Sequence, residues 1–403
     1  MAFVLFTGLA SDIFGLTTNG KIWAWGWNGA GLCNVPTPNS GFIAISAGAY
    51  HSLGLKSDGT IVAWGLNQAG QCDVPTPNSG FIAISAGYAH SLGLKSDGTV
   101  VAWGANWYGQ CNVPTPNSGF IAISAGSAHS LGLKSDGTVV AWGDNVNGKC
   151  NVPTPNSGFI AISAGYGHSL GLKSDGTIVA WGDNGNGQCN VPTPNSGFIA
   201  ISAGSAHSLG LKSDGTIVAW GNNWSGQCNV PTPNSGFIAI SAGFAYSLGL
   251  KSDGTIVAWG DNSYGQCNVP APNSGFIAIS AGVFHSLALK DQVVKASIDI
   301  DPNTLNLKSK GGWITAYIEL PTGYHVADID ITTVELNGKV KAELKPTSIG
   351  DYDNDGILDL MMKFERDQVA AFLAGQSGNV ELKIAGNVGS NSFEGSAIIS
   401  VIK

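Results

Sequence analysis

The chain repeats itself at a fixed interval. KSDGTIVAWG at residues 56–65 returns as KSDGTVVAWG at 95–104 and 134–143, then as KSDGTIVAWG at 173–182, 212–221 and 251–260. A weaker copy, TTNGKIWAWG, occupies 17–26, and the period is 39 residues throughout. Such a period, with paired strand signals inside it, means supersecondary units that bury their apolar faces only against one another.

One unit reads FIAISAG–AY–HSLGL–KSDG–TIVAWG–LNQAG–QCDVPTPNSG. FIAISAG, HSLGL and TIVAWG are short, rich in β-formers and separated by glycine turns, so they predict strands. KSDG is a tight-turn sequence. The segment around QCDVP predicts a fourth strand, with its proline at a strand edge or end. Four antiparallel strands per unit make a propeller blade. The expected fold is therefore all-β: a seven-bladed β-propeller of 39-residue repeats over residues 1–290. An immunoglobulin-like β-sandwich is expected over 291–403.

The motif set ISAG, HSLGLKSDGT, VAWG and GQC-x-VP resembles the regulator of chromosome condensation (RCC1) repeat family over about residues 3–290. The short unit looks similar to the compact bacterial propellers of that family, which include a secreted β-lactamase inhibitory protein. The resemblance implies a protein-binding propeller that uses one face of its disc. The eukaryotic founder is a chromatin-bound nucleotide-exchange factor. This chain lacks that founder's basic tails, so exchange activity is retained only as an alternative.

Ring closure is uneven in the sequence. ISAG–HSLGL pairs run to Lys290, and a degenerate copy, FTGLASDIFGL, occupies 6–16. Seven blades require the last pair to close onto the first AWG strand.

The repeats differ in two places. One is the pair before HSLGL: AY, YA, SA, YG, SA, FA and VF. The other follows AWG: WNGAG, LNQAG, ANWYG, DNVNG, DNGNG, NNWSG and DNSYG. In an antiparallel blade both segments fall on the same end, so they gather on one face of the disc; on the other, VPTPNSG changes only at Ala271. The variable face carries Trp27, Tyr50, Tyr88, Trp107, Tyr108, Tyr166, Trp224, Phe244, Tyr264 and Phe284, residue types that dominate interface hot spots. A protein partner is the expected ligand. A glycan would also stack on tryptophan and tyrosine, but it calls for equivalent pockets, and these aromatics differ between blades.

Other repeated residues read as scaffold. The seven cysteines recur at one repeat position, too far apart for disulfides between blades, and read as small buried thiols. His51, His90, His129, His168, His207 and His285 share a position, with Tyr246 and Asp12 as substitutes. They predict hydrogen bonds to a neighbouring blade, because no acid recurs beside them to build a triad and their spacing precludes a shared metal unless they converge at the axis; a proton-linked or metal role is the alternative. The asparagine of each post-AWG loop reads as turn chemistry, and the AWG tryptophan as core between blades. No catalytic constellation is apparent, and the expectation is a non-enzyme.

Residues 1–290 carry 9 Lys and 11 Asp, a net of −2; residues 291–403 carry 10 basic and 16 acidic residues, a net of −6. Neither part has the basic face that phosphate binding requires, so nucleic acid is excluded as an expected partner. No apolar run approaches the ~18 residues of a membrane-spanning helix.

Past Lys290 the repeat ends and charge rises. KASIDI, TLNLKS, WITAYIEL, VADIDI, TVELNG, GNVELKIAG and GSAIISVIK predict strands, and DQVAAFLAG at 367–375 a short helix with Asp367 as N-cap. IDIDPNTLNLKSKG resembles a module of secreted bacterial and archaeal proteins. Within it, DYDNDGILDL places Asp351, Asp353, Asp355 and Asp359 at positions 1, 3, 5 and 9, with Gly356 at 6 and the carbonyl of Ile357 at 7. Alternating carboxylates around a sharp turn suit Ca²⁺. Met362 stands where an EF-hand has glutamate, so the site resembles the strand-flanked Asp loops of extracellular proteins. Modest affinity implies filling at millimolar calcium, hence an extracellular or cell-surface location. A cytoplasmic one is the alternative, since no signal peptide is visible in MAFVLFTGLA unless the true start lies upstream of Met1.

Overall fold

A computed structural model of the chain describes residues 20–290, 293–389 and 391–402. They form two compact units, one over 20–290 and one from 293 onward. The segment 6–16 and Asp12 lie outside the described residues.

The first unit contains seven three-stranded antiparallel sheets. One consists of Phe42–Ala47, His51–Lys56 and Ile61–Gly65, and the pattern repeats every 39 residues. The first strand of each sheet packs on the first strand of the next, and Phe42–Ala47 also packs on Phe276–Ala281. The sheets therefore form a closed ring with these strands innermost. Closure joins the two ends of the repeat array: Lys21–Gly26 pairs with His285–Lys290, Trp25 opposite Ser286.

The fourth strand expected around QCDVP does not form; that segment is turn and irregular chain. An asparagine takes its place at the sheet edge. Asn78 Oδ1 accepts the N–H of Ile61 at 2.8 Å and Asn78 Nδ2 donates to the Ile61 carbonyl at 2.8 Å. Asn39, Asn117, Asn156, Asn195, Asn234 and Asn273 do the same for Ile22, Val100, Val139, Ile178, Ile217 and Ile256. A side-chain amide thus satisfies the outer strand's backbone groups as a paired strand would.

The KSDG turn forms as its sequence dictates. Asp58 Oδ1 accepts both the N–H and the hydroxyl of Thr60, and Gly59 sits at φ 78°. At positive φ glycine avoids the Cβ clash other residues would suffer.

Cohesion lies between sheets. Leu53, Leu55 and Ile61 of one sheet pack with Phe81, Ile84, Ala86 and Trp103 of the next, and equivalent clusters recur around the ring. Each AWG tryptophan is buried and donates its indole N–H across the boundary, as Trp103 does to the Gln71 carbonyl at 2.9 Å.

The second unit has two sheets on a shared apolar core. One holds Ser297–Asp301, Trp313–Glu319, Asp359–Glu365 and Ser348–Gly350. The other is built on Gly378–Val388 and Asn391–Ile402, with Ile329–Leu336, Val340–Lys341, Val293–Lys295 and Thr304–Asn306. The last two pair with Asn391–Ile402 in parallel, so this sheet is mixed. The helix spans Arg366–Phe372 with Glu365 as N-cap. Asp367 therefore lies in the first turn, where its carboxylate accepts the Gly311 N–H. The expected cap was displaced because the preceding strand runs straight to Glu365.

Candidate functional site

Both variable segments meet on one face, joined by backbone hydrogen bonds. Leu66 N donates to Tyr50 O at 2.7 Å, Ala105 N to Ala89 O, Asn222 N to Ala206 O and Trp27 N to Phe284 O. Around the axis the inner turns link blade to blade, with Ala49 N bonding Gly87 O and Tyr88 N bonding Gly126 O, both at 3.2 Å. Gly48 must be glycine here. A Cβ on it would lie 2.6 Å from Gly87 O.

Seven of the ten predicted aromatics form one connected chain of rings. Tyr50 contacts Trp27, Tyr88 and Phe284; Tyr88 contacts Tyr166; Phe284 contacts Trp27, Phe244 and Tyr264. Centroid distances run from 5.1 to 6.5 Å, the range in which edge-to-face packing is favourable. Three of them, Tyr88, Tyr166 and Phe244, wall a bowl over the axis whose floor, between Ala49, Ser127 and Val283, holds a free volume of about 20 Å³. That is room for about one water molecule, so any larger ligand rests on the bowl rather than entering the disc. Trp107, Tyr108 and Trp224 stand apart on the rim, with 72%, 60% and 91% of their surface exposed.

The post-AWG loops are held by their asparagine. Asn67 Oδ1 accepts Cys72 N–H at 2.8 Å and Asn67 Nδ2 donates to Asp73 Oδ1 at 2.7 Å. The side chain spans the loop instead of bonding its own backbone as the turn reading implied. Only the tip then varies freely. The loops carry Asp73, Asp144, Asp183 and Asp261, and Lys149 is their one cation among the described residues. Lys149 stands where five other blades have glutamine and one has Leu32. It is buried and bonded to Asp144 at 2.5 Å. Burial pushes the Asp144 carboxyl up, but hydrogen bonds from Lys149 and Val146 outweigh this and hold it below its ordinary value. Sequence reasoning passed over Val146, which is exposed at the tip of this loop. Its signal was the DNVNG variant itself.

The repeated thiols are only half-buried, a correction to the buried reading, and all seven are free. Each Sγ points at a backbone carbonyl, as Cys72 does at Leu66 O. Desolvation pushes Cys72 up to about 11.

The histidines form an internal ring. His51 Nε2 lies 2.9 Å from Ser91 Oγ of the next blade, and His90, His129, His168, His207 and His285 make equivalent contacts. All six are fully buried and bond to a serine, and none has an acid partner among the described residues. The Tyr246 hydroxyl fills the seventh slot, donating to His285 O at 2.6 Å.

In the second unit, Asp351, Asp353 and Asp359 bring carboxylate oxygens within 4.8 Å of one another, and so do Glu319, Asp353 and Asp355. Thus four predicted carboxylates fall into two overlapping sets. Ile357 contributes its N–H to Asp355 Oδ1, and its side chain is exposed. Glu319 was missed because only strand pairing brings it in, opposite Asp359. Asp359 is buried, and its carboxyl is raised by desolvation and by Asp353, Asp355 and Asp351. No salt bridge neutralises this cluster among the described residues. An all-oxygen donor set of this charge fits a hard divalent cation such as Ca²⁺.

Six stretches, 42–71, 81–110, 120–149, 159–188, 198–227 and 237–266, match the regulator of chromosome condensation (RCC1) repeat model. The first unit thus carries RCC1 repeats. Among solved structures it is similar to Prp20p of Saccharomyces cerevisiae, with TM-score 0.59 and 17% identity over 69% of this chain and 92% of that one. Human WBSCR16 gives 0.55 and 16% over 68% and 99%. The CRINKLY WD40 ectodomain of the Arabidopsis thaliana receptor kinase ACR4 gives 0.50 and 24% over 60% and 90%. At these identities the likeness is one of fold. No curated protein matches the sequence significantly. RCC1-type propellers are in general protein-binding or regulatory scaffolds.

Proposed function

We propose that this protein is a non-enzymatic binding protein that engages a protein partner through the variable face of its propeller. The observation that carries this reading is the connected set of aromatic rings, with Trp107, Tyr108 and Trp224 exposed beside it, on the face where the repeats diverge most. Exposed tryptophans with no packing role favour an interface, and their unequal distribution favours one large asymmetric partner over repeated glycan pockets. Prp20p has been solved with attention to its binding of Gsp1p and histones, and yeast RCC1 (Prp20) with Kap60 bound. Those partners belong to those proteins, but they support a protein as the ligand class. Among the described residues no helix is long and apolar enough to cross a membrane.

The second unit would hold Ca²⁺ through Asp351, Asp353, Asp355 and Asp359, with Glu319 beside them. The ion would relieve the repulsion among these carboxylates and so stabilise the fold around the loop. A site of modest affinity would be filled outside the cell, which is where this reading places the protein.

The test is capture on immobilised full-length chain, with a W107S/Y108S/W224S/Y264S variant in parallel and mass spectrometry of what each retains. A protein held by the wild type and lost by the folded variant supports the proposal. Equal retention by both refutes it. A glycan array run on the same pair reads the alternative.

A further inference from the structure

The aromatic bowl stands on the histidine ring. Ala49 and Tyr50 are the whole turn between Gly48 and His51, and every blade repeats this arrangement. The protonation state of the ring follows from its bonds. The Ser91 hydroxyl donates its single proton to Gln71 O at 2.9 Å, so His51 Nε2 must be the donor to Ser91 Oγ. The same holds for His90, His129, His168 and His207. These imidazoles therefore carry a proton on Nε2, and in the neutral form Nδ1 is bare. Every Nδ1 of the six is buried and unpartnered. It lies against a glycine, for a Cβ on Gly48 would come 2.9 Å from His51 Nδ1. A second proton would find no acceptor there.

We infer that this ring is an acid-sensitive clasp, and that acidifying the medium opens the propeller and dismantles the bowl above it. Release of a partner on acidification then follows, a consequence that rests on the proposed binding role of this face. The charged groups acting on the ring are few. Lys149 lies near His129, His51 acts on His90 and His285, and His207 acts on His168. Each of these opposes protonation, and no carboxylate bonds a ring nitrogen among the described residues. Cys33 and Cys267 lie near Tyr246, and desolvation holds them neutral, at about 11 and about 12.

Burial lowers His51, His90, His168 and His285 to about 3 and His207 to about 4, against 6.5 when exposed. The unfolded chain thus binds more protons than the folded one between these limits. Stability is full above about pH 6.5 and falls as pH falls through the window. The KSDG aspartates act on stability only at the acid end of this window. Their hydrogen bonds to threonine hold them below the usual 3.8 in the fold, so the stability they contribute is lost only as pH nears 3.8, at the bottom of the window and below pH 4.5. Tyr246 shows that a non-titrating side chain fits the slot.

The test follows full-length protein by near-UV circular dichroism and urea unfolding from pH 7.5 to 4.5, with return to 7.5. The wild type should lose aromatic ellipticity reversibly. Its unfolding constant at fixed urea should rise by up to about tenfold per pH unit for each titrating histidine. H90Y/H168Y should lower that slope by about two protons, and a single H207Y, as a milder variant, by about one. An unfolding constant that is flat from pH 7.5 to 5 overturns the inference, as does an unchanged slope in a folded tyrosine variant. Neither readout requires a partner, so failure here is distinct from failure of the binding role.

Discussion

Truncating one edge asparagine tests how the three-stranded blades hold without a fourth strand. Asn156 Oδ1 accepts Val139 N–H at 2.8 Å and its Nδ2 donates to Val139 O at 2.9 Å. Val139 is itself buried at the boundary with the next blade. Asn156→Ala removes both bonds and leaves two backbone groups without partners in a site water reaches only partly. Each such group costs about 1–3 kcal/mol, and partial hydration puts the pair at about 2–4 kcal/mol. In a unit of this size that is a fall in Tm of about 4–7 °C. Asn156→Asp separates the two bonds, since it keeps an acceptor for the N–H but faces the Val139 carbonyl with a carboxylate. It should be no more stable than the alanine variant by more than about 1 kcal/mol. Urea unfolding followed by tryptophan emission gives the midpoint and slope, and the slope should not change. A drop below about 2 °C for Asn156→Ala, at constant slope, would refute the view that the amide replaces a strand.

Three further outcomes follow. In the second unit, Ca²⁺ at about 100 times its dissociation constant should stabilise the fold by about 2.7 kcal/mol, and D353N should abolish the effect; equal melting in calcium and EDTA would contradict the assignment. Cys72 and its equivalents, raised from 9.0 to about 11, hold about a hundredfold less thiolate than free cysteine near pH 8; the native chain should therefore react far more slowly with a thiol reagent than the chain in urea, and equal rates would sink the reading of these thiols as inert. W107S/W224S should keep the urea midpoint within about 0.5 kcal/mol of wild type, because both side chains are mostly exposed; a larger loss would make them structural.

The sequence made the repeat, its three main strands and the KSDG turn legible because each is local: β-branched runs, glycines at positive φ, an aspartate two residues before a threonine. The face on which variation gathers was legible too, since strand alternation alone decides it. What was not legible depended on partners distant in sequence. The fourth strand failed because an asparagine 17 residues beyond its partner takes up the outer strand's edge. Nothing in PTPNSG announces that its side chain turns back onto the sheet. The half-burial of the cysteines depends on how each loop folds around its asparagine. Glu319 joins the aspartate loop only through cross-strand register with Asp359, and the orphaned Nδ1 of each histidine appears only when the glycine opposite is in place.

The most direct test of the central claim is hydrogen–deuterium exchange of the full chain with and without the partner that capture retains. The account predicts slowed exchange in the variable loops, 27–31, 105–109, 222–226 and 261–265, with the KSDG turns unchanged. Protection confined to the KSDG turns or to the second unit, with the variable loops exchanging as in the free protein, would contradict it.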